Sequence, residues 1–160
     1  MVDKTKLTSA QAVYVAARME QRAVNLYERA QMVFALGEMK PVIEGLLHEE
    51  RAHLDTFQRL QKMEGQVAPD DAQILDAEAE NVPFTGGLMG AVREGAFDSI
   101  LSLLIYAADE EERAMAFYRA QAQTAQGDTR ETFLLIARQE QRHLERLQQQ
   151  ISQLQEDMNA

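Results

Sequence analysis

Two four-residue segments, Glu50-Arg51-Ala52-His53 and Glu140-Gln141-Arg142-His143, lie 90 residues apart in a chain of 160 and share the spacing Glu-x-x-His. Three residues make nearly one helical turn, so in each segment the carboxylate and the imidazole project from one face of a helix. That face is also apolar. Phe133, Ile136, Ala137, Leu144 and Leu147 flank the second pair at helical spacing, and Ile43, Leu46, Leu47, Leu54, Phe57 and Leu60 flank the first. Both pairs are therefore expected to point into a core. A buried carboxylate is costly unless it is paired or holds a metal. Any fold this chain adopts must bring partners to these groups.

The pairs belong to a larger internal repeat. Ala16-Ala17-Arg18-Met19-Glu20-Gln21-Arg22-Ala23-Val24-Asn25-Leu26-Tyr27 aligns with Ala107-Ala108-Asp109-Glu110-Glu111-Glu112-Arg113-Ala114-Met115-Ala116-Phe117-Tyr118 at an offset of 91, with six positions identical. Glu50, His53 and Leu54 align with Glu140, His143 and Leu144 at an offset of 90. Two helical hairpins thus share one plan. Packed about a pseudo-two-fold axis they predict an all-α, antiparallel four-helix bundle, with a long crossover connection between the hairpins.

The periodicity places the helices at 8–36, 40–64, 98–125 and 128–157, within a single domain spanning 1–160. Thr8-Ser9-Ala10-Gln11 has the form of a capping box, and Asp128-Thr129-Arg130-Glu131 looks like a second. Gly37, Gly65 and Gly127 read as helix stops, and Pro41 suits a first turn. The crossover, 66–97, holds a short helix over 72–80 and a break at Val82-Pro83-Phe84-Thr85-Gly86-Gly87. Phe84, Leu88, Met89 and Val92 make it too apolar for a free linker, so it is expected to pack along the bundle. Leu144, Leu147, Ile151, Leu154 and Met158 form a coiled-coil-like seam for packing within the bundle or against a second copy.

Composition narrows the chemistry. The absence of Cys excludes iron–sulfur centres and zinc ribbons held by thiolates, and nothing suggests haem. A net charge of −10 argues against nucleic acid and anionic membrane surfaces as partners. The apolar run near 100–108 is too short to cross a bilayer, which needs about 20 residues, and no leader segment is visible. These features together give an expectation of a cytoplasmic protein.

Each half contributes one Glu from its first helix and one Glu-x-x-His from its second. The candidate metal ligands are Glu20, Glu50, His53, Glu111, Glu140 and His143. This is the pattern of di-iron and di-manganese carboxylate bundles. Two divalent cations neutralise four carboxylates. The Glu of each Glu-x-x-His could serve both ions, while the other Glu and the His residues would hold one ion each. Imidazole with carboxylate suits two Fe ions, or Mn, better than Ca or Mg. Ions about 3.5–4 Å apart would accept O2 or peroxide between them. Tyr27 and Tyr118 follow Glu20 and Glu111 by seven residues on the same inner face. They are expected to donate hydrogen bonds to ligand carboxylates of the opposite half, although the same spacing equally suits ordinary core tyrosines.

Glu20-x-x-Ala23-x-x-Leu26-Tyr27, Glu50-x-x-His53, Glu111-x-x-Ala114-x-x-Phe117-Tyr118 and Glu140-x-x-His143 resemble the rubrerythrin branch of the ferritin-like superfamily. The resemblance covers residues 8–64 and 98–157. It implies a ferritin-like fold and a non-haem di-iron oxidoreductase, a peroxidase or ferroxidase acting on hydrogen peroxide, O2 or Fe(II), in a homodimer. Rubrerythrins proper also carry a four-Cys rubredoxin domain, which this sequence does not supply, so an external electron donor is expected. They tend to have a further Glu one turn after the third-helix ligand, where this chain has Ala114. The alternatives are a ferritin-like iron-storage protein, which would use the same ligands, and a helical interaction module stabilised by metal. His48, Glu110 and Glu112 read as solvated side chains, and the eight Met as gap fillers.

Overall fold

The computed structural model describes residues 2, 3, 5–80 and 87–160. Its elements are α1 (Ser9–Val33), a 3-10 turn (Gly37–Met39), α2 (Lys40–Glu64), α3 (Pro69–Glu80), α4 (Gly87–Arg93), α5 (Ile100–Thr124) and α6 (Gly127–Asn159). There are no strands among the described residues, and the fold is an all-α, ferritin-like helical bundle. α1 packs on α2 and α5 on α6, giving two hairpins that meet through α1–α5 and α2–α6.

Local chemistry sets the helix ends. Thr8 caps α1, accepting from the Gln11 N–H while the Gln11 side chain accepts from Thr8 N–H, which closes the capping box. α1 stops at Val33, before Gly37, and Phe34 caps it. Gly37 instead opens the 3-10 turn that leads into α2, where Pro41 occupies the first turn. α2 stops at Gly65, whose φ of +97° suits only glycine.

The second expected capping box does not form. The N-cap of α6 is Gln126, Gly127 adopts φ +58°, and Asp128 falls inside the first turn, where its charge favours the helix dipole. Thr129 is buried and donates to Glu64, tying the start of α6 to the end of α2.

The crossover carries two helices. α3 lies against α1, fixed by a buried Leu75, by a hydrogen bond from the Tyr14 hydroxyl to Asp76 (2.7 Å), and by Arg18–Asp76 (3.2 Å). α4 also packs on α1. It buries Ala91, whereas Met89 and Val92 are exposed at 66% and 53%. The connection thus packs along the bundle as expected, although Met89 and Val92 themselves face outward. The break expected at 82–87 lies mostly outside the described residues, as does Phe84.

The core runs along the inner stripes of the four long helices. Val13, Ala16, Tyr27, Ile43, Leu46, Phe57, Leu104, Tyr118, Phe133 and Leu147 are all fully enclosed. Phe57, Tyr118 and Phe133 form an aromatic cluster, with ring centroids 5.4–6.0 Å apart. The seam of α6 is buried at Leu144 and Leu147, partly buried at Ile151 and Leu154, and exposed by Met158. No helix among the described residues is long and apolar enough to cross a membrane.

Candidate metal centre

Glu20 on α1, Glu50 and His53 on α2, Glu111 on α5, and Glu140 and His143 on α6 are all buried, none more than 3% exposed. The structure brings them together as two overlapping sets, Glu20–Glu50–His53–Glu140 and Glu50–Glu111–Glu140–His143, with the ligand atoms of each set within 4.8 Å of one another. Glu50 and Glu140 belong to both sets, so each set draws on both hairpins.

The geometry repeats across the pseudo-two-fold. His53 Nδ1 lies 2.8 Å from Glu140 and 3.7 Å from both Glu20 and Glu50. His143 Nδ1 lies 2.8 Å from Glu50, 3.6 Å from Glu140 and 3.8 Å from Glu111. The two imidazoles stack, with centroids 5.4 Å apart. Tyr27 donates to Glu111 (3.0 Å) and Tyr118 to Glu20 (2.5 Å), each reaching across to the other half.

The donor set fits a pair of cations. Both Nδ1 atoms and the oxygens Glu20 Oε2, Glu50 Oε1, Glu111 Oε2, Glu140 Oε1 and Glu140 Oε2 are buried without an aligned hydrogen bond, although they lie close together. Atoms that converge without bonding to one another share a common focus, which a cation satisfies. Buried polar groups are otherwise almost always hydrogen-bonded.

Electrostatics says the same. Burial and the charge of Glu50 push Glu20 up to about 8. Burial disfavours charge on His143, but Glu140 and Glu50 outweigh it and raise the imidazole to about 10. His53 is likewise opposed by burial, yet Glu20, Glu140 and Glu50 hold it far above the usual imidazole range. Burial and the surrounding carboxylates raise both tyrosines, which stay protonated donors. With no cation between them, Glu20 holds on to its proton and the neighbouring carboxylates keep both imidazoles charged. Divalent ions would do the same neutralising work.

Two neighbours escaped the sequence reading. Gln139 Oε1 is 2.7 Å from Nε2 of His53, and a Glu49 oxygen contacts Nε2 of His143. Each comes from the facing helix of the other hairpin. The signal was present, since Glu49 and Gln139 correspond at the same offset as the Glu-x-x-His pairs. Between α2 and α6 a cleft of about 360 Å³ reaches both histidines, with His48, Arg142 and Arg146 among its lining. A larger cleft of about 750 Å³, beside Tyr14, Gln58 and Val67, lies away from this cluster.

Glu110 corrects an expectation. It is 3% exposed rather than solvated, and Arg113 on the next turn pairs with it at 3.2 Å. That pairing also gives the repeated Arg113 a role that keeps it off the metal cluster. Glu112 and His48 are exposed.

A buried cluster of four carboxylates and two imidazoles, drawn from a duplicated hairpin, defines a ferritin-like bundle able to hold metal. Residues 102–160, which hold Glu111, Glu140 and His143, match the family model described as Rubrerythrin. No curated protein matches the chain. No solved structure matches it either.

Proposed function

We propose that the protein is a non-haem di-iron oxidoreductase of rubrerythrin type, which reduces hydrogen peroxide or O2, or oxidises Fe(II). The observation that supports this most directly is the sharing of Glu50 and Glu140 between two four-residue ligand sets. Glu20 and His53 would cap one iron, Glu111 and His143 the other, with Glu50 and Glu140 common to both. Manganese fits the same donors. A pair of ferrous ions held there supplies two electrons, enough to reduce one hydrogen peroxide to two waters with two protons.

The chain's own residues set the conditions for that chemistry. Tyr27 and Tyr118 hold Glu111 and Glu20 in place through their hydroxyls. The aromatic cluster of Phe57, Tyr118 and Phe133 keeps one side of the site dry. The α2–α6 cleft offers a small oxidant a route to the histidine edges. A homodimer and a separate electron donor belong to the same reading and follow from the rubrerythrin resemblance, and a cytoplasmic setting follows from the composition.

The test is anaerobic loading with Fe(II), followed by hydrogen peroxide or O2, with the iron oxidation state read by Mössbauer spectroscopy. Two irons bound per chain and rapid conversion to ferric iron are expected, at one peroxide per pair. Absence of iron binding, or ferrous iron that persists under oxidant, overturns the reading. Mass in solution separates a small oligomer from the large hollow shell of a storage protein.

A further inference from the structure

The two halves of the centre agree in every residue of the two ligand sets, yet differ immediately behind the imidazoles. His143 Nε2 is contacted by the carboxylate of Glu49, and His53 Nε2 by the amide oxygen of Gln139. Glu49 and Gln139 occupy equivalent positions of the repeat, each directly before a shared carboxylate. Both reach across from one hairpin to the histidine of the other.

We infer that Glu49 and Gln139 are positioning residues that make the two metal positions unequal, the one at Glu111–His143 binding a divalent ion more tightly than the one at Glu20–His53. This inference rests on the two-metal reading above. An ionised carboxylate can only accept, so at this contact Glu49 would favour the proton on Nε2, leave Nδ1 for the carboxylate cluster and feed negative charge into the ring. An amide oxygen accepts the same proton but carries no net charge. Outer partners of this kind change metal affinity by about 10–100-fold. Arg146 lies 3.9 Å from Glu49 on the outer side, holding the carboxylate over the cleft and moderating its charge without removing it. Glu49 is 42% exposed on its side chain, so its substitution does not open the core.

Metal-stripped protein titrated with Mn(II) tests this, with calorimetry for affinity and anomalous scattering from crystals carrying one equivalent for position. The wild type should bind in two steps, with the first ion at Glu111–His143. Glu49→Gln should weaken that step by about tenfold and bring the two steps together. Gln139→Glu should strengthen the other step, and the double exchange Glu49→Gln with Gln139→Glu should send the first ion to Glu20–His53. A residue that merely supported the fold would not redirect the ion. Two ions bound with the same order in every variant, or one equivalent spread evenly in the wild type, overturns the inference and leaves the two-metal reading intact. No Mn(II) bound by the wild type removes both.

Discussion

Tyr118 on α5 donates its hydroxyl hydrogen to Glu20 on α1, 2.5 Å away and across the seam between the two hairpins. The acceptor is a carboxylate with no other route to water, since both residues are enclosed. Replacing Tyr118 by Phe would leave Glu20 Oε1 without its donor. A buried acceptor left unsatisfied costs about 1–3 kcal/mol. Denaturant unfolding of metal-depleted Tyr118→Phe should therefore show a loss in that range, and Tyr27→Phe a comparable one through Glu111. Unfolding midpoints equal to the wild type in both variants would contradict the two bonds.

The shared carboxylates make a sharper demand. Glu50→Gln or Glu140→Gln removes one charge from both ligand sets at once. Metal analysis should find fewer than two ions per chain in either variant. Glu110→Gln alters a buried carboxylate beside the centre whose partner is Arg113, and metal content should remain at the wild-type level. If Glu110→Gln lowers metal content as far as Glu50→Gln does, the ligand assignment on α5 is wrong.

Stability should depend on pH in a direction opposite to that of most acidic proteins. Glu20 and His143 both hold protons more tightly in the folded chain, at about 8 against 4.5 and about 10 against 6.5. A group whose folded value is raised stabilises the fold fully below its unfolded value and ceases to do so as pH climbs past the folded one. Metal-depleted protein should thus melt lower at about pH 9.5 than at about pH 6. Saturation with Mn(II) should flatten or reverse that trend, because metal competes with those same protons. Calorimetric scans across the interval check it, and a metal-depleted protein that gains stability on alkalinisation would refute the proton assignments.

The aromatic cluster carries a packing prediction. Phe133 and Phe57 are fully enclosed against Tyr118. Phe133→Ala should cost about 3–5 kcal/mol, and it should also loosen the hold of Tyr118 on Glu20. Chemical denaturation gives the first quantity. The affinity of metal-stripped protein for Mn(II) gives the second, with Leu75→Ala as a control that weakens the distant α3 contact.

The meeting of Glu20, Glu50, His53, Glu111, Glu140 and His143 was legible in the sequence because a polar group inside an apolar stripe has few places to go. The repeat then supplied the register that single helices lack. Glu110 was misread because one residue is about 100° of helix rotation. That angle puts it beside Glu111 at a boundary, and Arg113 and the surrounding packing decide its burial. The apolar content of 66–97 told that the connection packs along the bundle, but in a run as short as α4 periodicity does not say that Met89 and Val92 face outward. Glu49 and Gln139 sit four residues before a histidine on their own helix, so attention fell on that neighbour, whereas their contacts are with the facing helix. Asp128-Thr129-Arg130-Glu131 matched a local motif, but α6 starts two residues early at a Gln126 cap, which leaves Asp128 inside the first turn.

Because both ligand sets take members from both hairpins, two detached copies of one hairpin related by a true dyad would present the same six groups. Such an assembly would be bound to carry identical side chains at every equivalent place. Joining the copies in one polypeptide lifts that obligation, so an amide can stand at 139 opposite an acid at 49, and Leu147 opposite Phe57. The crossover is then more than a tether, since it is what allows a centre built on symmetry to depart from it.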